Sequence, residues 1–178
     1  MTESANRKRN LLLILILALC TALMAGCARE TPTQTGDPIK PTLKFPNEPP
    51  LLSVSDGAST VYAWRGTCSW DVKKLDGAGT GVQMDSPHPL DRIEDIASLQ
   101  MSKDAKITLT FEATPSDILV RKYKWGASDY DAYEEIEIKG NSFEAERGNY
   151  LYEVIAKWDN PLKPYSGTAY YAFRTNHD

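Results

Sequence analysis

One stretch of the sequence has residue types suited to acid–base chemistry: Ser86 and His88 lie between Asp85 and Asp91. A serine, a histidine and a carboxylate are the parts of a hydrolytic triad. Neighbouring loop residues rarely satisfy triad geometry, however, and the chain has no G-x-S-x-G nucleophile motif. The other histidine, His177, is the second-last residue, where a fixed geometry is not expected. We therefore expect a surface turn at His88 and no enzymatic activity, with a hydrolase using His88 as the remaining alternative.

Metal binding is the second chemistry to weigh, and the acidic segment 129–135 is its candidate. Calcium binds six to eight oxygen atoms, and this segment offers the carboxylates of Asp129, Asp131, Glu134 and Glu135. The segment lacks the glycine and the glutamate spacing of an EF-hand loop. A zinc site needs more nitrogen and sulfur ligands than one usable histidine and one free cysteine provide. We expect a solvated acidic loop, with no metal and no cofactor.

Tyrosines in the same region indicate a recognition surface. Tyr130 and Tyr133 fall in a loop beside Asp129 and Asp131, away from the expected core. Exposed tyrosines offer a large contact area with little loss of side-chain entropy, and they are common on surfaces that bind peptides, glycans or proteins. We predict that these four residues contribute to binding. Packing at the edge of the core is the alternative for each tyrosine.

Composition and charge limit both the class of protein and the classes of partner that it can bind. The chain has 178 residues, 42% of them hydrophobic, and a net charge of −4. This composition is typical of a globular protein and excludes a disordered or collagen-like chain. The acidic balance disfavours nucleic acid, because phosphate backbones attract basic surfaces.

The N-terminus has the three parts of an export signal. Basic residues at 7–9 precede the apolar run Leu11–Gly26, which ends in small residues. The run would span about 24 Å as a helix, less than the hydrocarbon core of about 30 Å. We predict a signal peptide over residues 1–26, with an uncleaved signal anchor as the alternative.

The end of that run carries a more specific motif. Leu23-Met24-Ala25-Gly26-Cys27 resembles the lipobox of bacterial lipoproteins, with Met24 at the position where leucine is favoured. The resemblance implies that Cys27 receives a diacylglyceryl group and anchors the chain in the lipid bilayer on the extracytoplasmic face of the cell membrane. Two or three acyl chains on one cysteine give durable anchoring. Cys68 would then be the one remaining cysteine, so we expect no disulfide, and its apolar neighbours indicate a buried side chain.

Residues 27–50 differ in composition from residues 51–178. They hold six of the eleven prolines and show no period of 2 or 3.6. Proline favours extended polyproline II geometry, so we interpret this segment as a semi-rigid linker. A disordered leader is the alternative.

Residues 51–178 have the pattern of an all-β domain. Short runs rich in Val, Ile, Thr and aromatic residues alternate with turn residues. The run 59–72 predicts one long strand with a bulge or bend at Gly66, closed into an N-terminal hairpin by residues 80–85. One or two helical turns are expected within 91–100. Further strands are predicted at 107–113, 118–125, 134–139, near 143, 150–158 and 167–175.

The second half of the domain resembles an immunoglobulin-type sandwich. The sequence E-x-G-x-Y-x-Y at 146–152 is similar to the tyrosine corner of that family, with Tyr150 as the corner residue. Trp125 resembles the buried core tryptophan, and Phe111 and Tyr152 stand near the positions of the two bridging cysteines. The resemblance implies a disulfide-free β-sandwich.

Three short motifs also resemble extracytoplasmic domains of uncharacterised lipoproteins from Gram-positive bacteria. They are G-T-x-S-W at 66–70, H-P-L at 88–90 and G-T-A-Y-Y at 167–171. That resemblance implies no activity. The export signal, the predicted sandwich and the exposed tyrosines instead favour a membrane-anchored, non-catalytic binding module for a cell-envelope protein or glycan. An accessory or sensory subunit of a membrane signalling or transport complex is the alternative.

Overall fold

The computed structural model describes residues 46–73, 79–101 and 104–176. The predicted signal peptide, Cys27, most of the linker, the turn at 76–78 and His177 lie outside these residues. Within the described part of the chain, no helix is long and apolar enough to span a bilayer.

The described chain is built almost entirely of strands. One 3-10 helix, Pro89–Asp95, interrupts them. The strands are β1 (Leu52–Ser55), β2 (Thr60–Tyr62), β3 (Trp64–Lys73), β4 (Gly79–Met84), β5 (Ser98–Gln100), β6 (Ala105–Phe111), β7 (Asp117–Lys124), β8 (Tyr133–Ile136), β9 (Ser142–Ala145), β10 (Tyr150–Trp158) and β11 (Tyr165–Asn176).

Two sheets form a β-sandwich, as the sequence predicted. The smaller sheet has the order β2-β1-β6-β9, and the larger has the order β4-β3-β11-β10-β7-β8. Neighbouring strands are antiparallel, except that β5 pairs with the end of β11 in parallel. Cys68 is buried and free, and the described residues contain no disulfide.

The main core lies between the two sheets. On β10, alternate residues from Tyr152 to Trp158 point inward, and on β11 Ala169, Tyr171 and Phe173 do the same. This period-2 pattern confirms the prediction for both strands. A fully buried aromatic side chain contributes about 1.5–3 kcal/mol, so these rings supply much of the stability.

The predicted run 59–72 is two strands, and its alternation breaks at Gly66. Cys68 pairs with Ala169, but Arg65 pairs with Tyr171, so two residues of β3 lie opposite one residue of β11. This bulge reverses the phase of the strand. Cys68, Trp70 and Val72 point into the core, whereas Trp64 packs on the opposite face of the sheet.

The expected burial of Trp125 is wrong. Its side chain is 42% exposed and lies beneath the guanidinium of Arg174, 5.4 Å from the ring centre. The buried tryptophans are Trp70 and Trp158, which meet edge to face at 5.2 Å. Trp125 directly follows the last residue of β7 and continues the outward phase of Tyr123, so its side chain lies on the face of the sheet opposite the main core.

Residues 46–50, which composition places in the linker, pack against the sandwich as a strap. The carbonyl oxygens of Pro46 and Pro50 accept hydrogen bonds from Trp70 Nε1 at 3.0 Å and Tyr171 Oη at 2.6 Å. Arg65 donates to the carbonyl of Pro49 at 2.7 Å. The packed part of the chain therefore begins before residue 51.

Gly167 is required by the packing of the two buried tryptophans. It pairs with Trp70 on one side and Trp158 on the other. Its φ of 155° is unfavourable for other residues, and a Cβ here would lie 2.9 Å from Trp70 Cα and closer still to the backbone of Ser69.

We predict that Gly167→Ala lowers the free energy of unfolding by about 2–3 kcal/mol, measured by urea denaturation. Gly79→Ala, whose Cβ would meet only an ordinary contact at 3.7 Å, is the matched control, and equal losses would contradict the assignment.

Candidate functional site

The outer face of the larger sheet carries a second buried cluster. Ile96, Tyr123, Leu151 and Ala172 form its centre, and the segment that contains the 3-10 helix packs over it. This surface, called the outer face below, holds most of the residues that the sequence singled out. The outer face therefore qualifies as a candidate site.

His88 is held in place at the start of the 3-10 helix. Its Nδ1 accepts a hydrogen bond from the backbone N–H of Leu90 at 3.2 Å, which caps the helix next to Pro89. In the neutral ring, Nε2 then carries the proton. Nε2 lies 3.5 Å from the hydroxyl of Tyr123. Both ring nitrogens therefore have fixed neighbours.

Tyr130 lies flat against His88, although the two residues come from separate loops. The ring centres are 4.2 Å apart and the planes differ by 15°. The Tyr130 hydroxyl donates to the carboxylate of Asp91, with distances of 2.7 and 2.8 Å to its two oxygens. This hydrogen bond raises the pKa of Tyr130 above its ordinary value, and partial burial and the charge of Asp91 add to the shift. The predicted binding residue Tyr130 is thus an exposed ring in a fixed orientation.

Tyr133 lies in the same surface, next to an ion pair between the half-buried Arg121 and the buried Glu153. The guanidinium of Arg121 lies 4.4 Å from the centre of the Tyr133 ring. Arg121 also pairs with the buried carboxylate of Glu153 at 3.4 Å, and the Tyr123 hydroxyl lies 3.5 Å from the same oxygen. Burial raises the pKa of Tyr123 to about 12, and the charge of Glu153 adds to this effect while Arg121 opposes it. The phenol of Tyr123 stays protonated and can donate to Glu153.

A cleft of about 250 Å³ opens beside His88. Its walls include Trp64, Thr67, His88, Glu153 and Tyr170. The bulge at Gly66 forms one wall, because it moves Trp64 to this face and interrupts the ladder opposite Tyr170. An aromatic cleft with a buried carboxylate has the character of a small binding site.

The hydrogen bonds of the hypothetical hydrolytic set do not form a triad. The backbone N–H of Ser86 donates to Asp85 at 3.0 Å and to Thr67 at 3.2 Å, and Asp91 accepts from Tyr130. Among the described residues, no hydrogen bond connects His88 with Ser86. A general base needs a free lone pair, and the lone pair of Nδ1 faces Leu90.

Asp129 and Asp131 lie in the loop that carries Tyr130. The carboxylate of Asp129 accepts from the backbone N–H of Asp131 at 2.9 Å, which closes a turn. The outer-face contacts described above involve neither aspartate. In the described ranges, no group of three or more His, Cys, Asp or Glu residues could hold a metal ion.

Sequence reasoning missed Trp64, Arg121 and Glu153. One signal was present: Glu153 is an acidic residue inside the apolar run Tyr150–Trp158. A charge in such a run is buried only with a partner. The partner, Arg121, is 32 positions away in sequence and could not be identified from spacing.

Comparisons with protein-family models, curated proteins and solved structures find no match to this chain. The candidate site is therefore defined by its own geometry. Its main features are the ring stack of His88 and Tyr130, the partly buried pair of Arg121 and Glu153, and the adjacent cleft.

The contact of Tyr130 with Asp91 can be tested by titration. We predict that Asp91→Asn lowers the pKa of Tyr130 toward its ordinary value, because the neutral amide accepts more weakly and carries no charge. The shift would be measured by NMR of the tyrosine ring carbons. Asp95→Asn is the matched control, since Asp95 lies on the same 3-10 helix and pairs with Arg92. An unchanged Tyr130 titration in Asp91→Asn would show that the contact is absent in solution.

Proposed function

We propose that this chain is a non-catalytic binding module that Cys27 anchors at the extracytoplasmic face of a cell membrane. Its outer face contacts a partner protein of the cell envelope. The observation that carries the proposal is the exposed Tyr130 ring, held between His88 and Asp91. A ring that is already ordered loses little entropy when a partner binds it.

The residue types of the outer face support a protein contact. Tryptophan, tyrosine and arginine dominate the residues that carry binding energy at protein interfaces. Trp64, Arg121, Tyr130 and Tyr133 share this face, and the exposed Trp125 lies under the guanidinium of Arg174. The surface therefore offers several anchors within a single patch.

The cleft beside His88 would receive one side chain of the partner. Its volume of about 250 Å³ is smaller than most small-molecule sites, which begin at about 300 Å³. Glu153 at its wall is an acceptor for a donor group on the inserted side chain. Hot-spot residues insert into small desolvated pockets of this kind.

The geometry of His88 favours binding over hydrolysis. A hydrolase would need the imidazole free to take a proton from a nucleophile. The contacts with Leu90, Tyr123 and Tyr130 instead make His88 a support for the aromatic surface.

The alternative role, a subunit of a membrane signalling or transport complex, has one observation in its favour. All six residues of β4 are exposed, and this edge strand of the larger sheet carries no charge. Edge strands without charges can pair with a strand of another chain. Under this alternative, the contact would be made at β4 and not at the outer face.

Crosslinking in intact cells distinguishes the two surfaces. With a benzophenone side chain at position 130, we expect one specific protein adduct. The control position is Tyr62, which is 68% exposed on the smaller sheet and should give none. Adducts at position 82 of β4 with none at 130 would favour the alternative, and equal labelling at 62 and 130 would contradict a specific outer-face contact.

The membrane anchor gives a separate prediction. Cys27→Ser removes the thiol that would carry the lipid, so we expect the protein to leave the detergent-soluble membrane fraction and to lose incorporation of a labelled fatty acid. Cys68→Ser is the matched control, because Cys68 is buried in the core. Continued fatty-acid labelling of Cys27→Ser would contradict the assignment of the lipid site.

A further inference from the structure

Strand β4 is the longest edge strand of the sandwich and the least protected. Among the strands that the structure describes, the outermost ones in the two sheets are β2, β9, β4 and β8. Strand β2 has only three residues, β9 carries Glu144, and β8 carries Glu134 and Glu135. Short strands and charged side chains keep an edge from pairing with another chain. Strand β4 has six residues, with no charge and no proline, so this edge is open to pairing.

The backbone of β4 directs alternate residues toward the free edge. On β3, the N–H of Lys73 donates at 2.7 Å to a carbonyl on the β11 side. Successive residues of a strand direct their backbone groups to opposite sides, so Trp70, three positions earlier, faces β4 and bonds to its ladder partner Val82. Gly81 and Gln83, on either side of Val82, therefore direct their N–H and C=O groups outward.

The side chains of β4 leave an apolar row uncovered. Val82 and Met84 lie directly opposite Trp70 and Cys68 of β3, so they continue the inward phase of the core residues. They are nevertheless 37% and 36% exposed, because β4 lies beyond the part of the larger sheet that the smaller sheet covers. A strand added along β4 would bury part of both side chains.

We propose that β4 pairs with β4 of a second copy of this chain, antiparallel about a two-fold axis at Val82. The two larger sheets then form one continuous sheet. Val82 faces its own copy, and Thr80 faces Met84 of the partner subunit. Gly81 faces Gln83 of the partner subunit, and each such pair exchanges both of its backbone hydrogen bonds.

Charge and symmetry favour a second copy over a different protein. Antiparallel self-pairing places a strand opposite itself, so charges near the axis face like charges, which is destabilising. Strand β8 would bring its glutamates together in this way, whereas β4 brings together only uncharged side chains. Strand β4 also has no charge with which to select a different sequence. A two-fold contact needs only a surface that is complementary to itself, and such dimers are the commonest oligomers.

This inference goes beyond the proposed function. The pairing uses the edge of the larger sheet, and none of the residues that hold Tyr130 in place belongs to β4. The dimer and the outer-face contact can therefore be tested separately.

Disulfide formation in the purified full chain tests the pairing. About the proposed axis the two Val82 Cα atoms lie about 4.5 Å apart, within the range that a disulfide spans. Val82→Cys should therefore give a covalent dimer under mild oxidation. Thr80→Cys is the matched control on the same exposed strand, because the two Thr80 Cα atoms lie about 13 Å apart in this register. The wild type gives the background from the native cysteines. No additional dimer from Val82→Cys, or equal amounts from both variants, overturns the proposal.

A charge at the axis gives a second test. Val82→Lys places two ammonium groups opposite each other and removes the apolar contact, so the dissociation constant of the dimer should rise about tenfold. The measurement is sedimentation equilibrium in a detergent of matched density. Tyr62→Lys adds the same charge at a residue of the smaller sheet that is 68% exposed, and it should dimerise as the wild type does. An unchanged dissociation constant in Val82→Lys overturns the proposal.

A benzophenone side chain at position 82 in intact cells identifies any other occupant. We expect an adduct of two copies, with twice the mass of the chain. An adduct with a different protein, and none between two copies, overturns the proposal and assigns β4 to that protein. The outer-face contact is read at position 130, so its failure and the failure of the dimer give different results.

Discussion

Strand β10 is buried on both faces along Leu151–Val154, and the arrangement of the described chain depends on this constraint. Tyr152 and Val154 point into the core between the sheets, while Leu151 and Glu153 point into the cluster on the outer face. The smaller sheet covers the first face, and the segment with the 3-10 helix covers the second. That second covering places His88 and Asp91 where the loop of Tyr130 can contact them.

The same alternation places two neighbouring positive charges of strand β7, the half-buried Arg121 and the buried Lys122, on opposite faces of the sheet. Arg121 faces outward and pairs with Glu153, while its neighbour Lys122 faces inward beside Tyr152. A slip of one residue between β7 and β10 would exchange these faces and leave both charges without their partners. Such a slip is costly, because an unpaired buried charge is strongly destabilising. The charged residues therefore help to fix the register of the central strands.

The alternation of β10 and β11 was predictable, because each strand keeps one phase along its whole length. The reversal at Gly66 was not, although a glycine in a strand indicates a bulge. The number of residues opposite Tyr170 depends on pairing with β11, about 100 positions later. Trp125 was misplaced because it follows Tyr123 on the outward phase of β7, and this phase is fixed by the pairing of β7 with β10.

The strap formed by residues 46–50 has a mechanical consequence. The chain enters the sandwich through this strap, so a pulling force on any earlier residue is carried first by its bonds to Trp70, Tyr171 and Arg65. Two of these three residues, Trp70 and Tyr171, have aromatic side chains in the main core. The load is thus spread over the centre of the fold, and a pull on the strap would strain the core before it could peel a single edge strand.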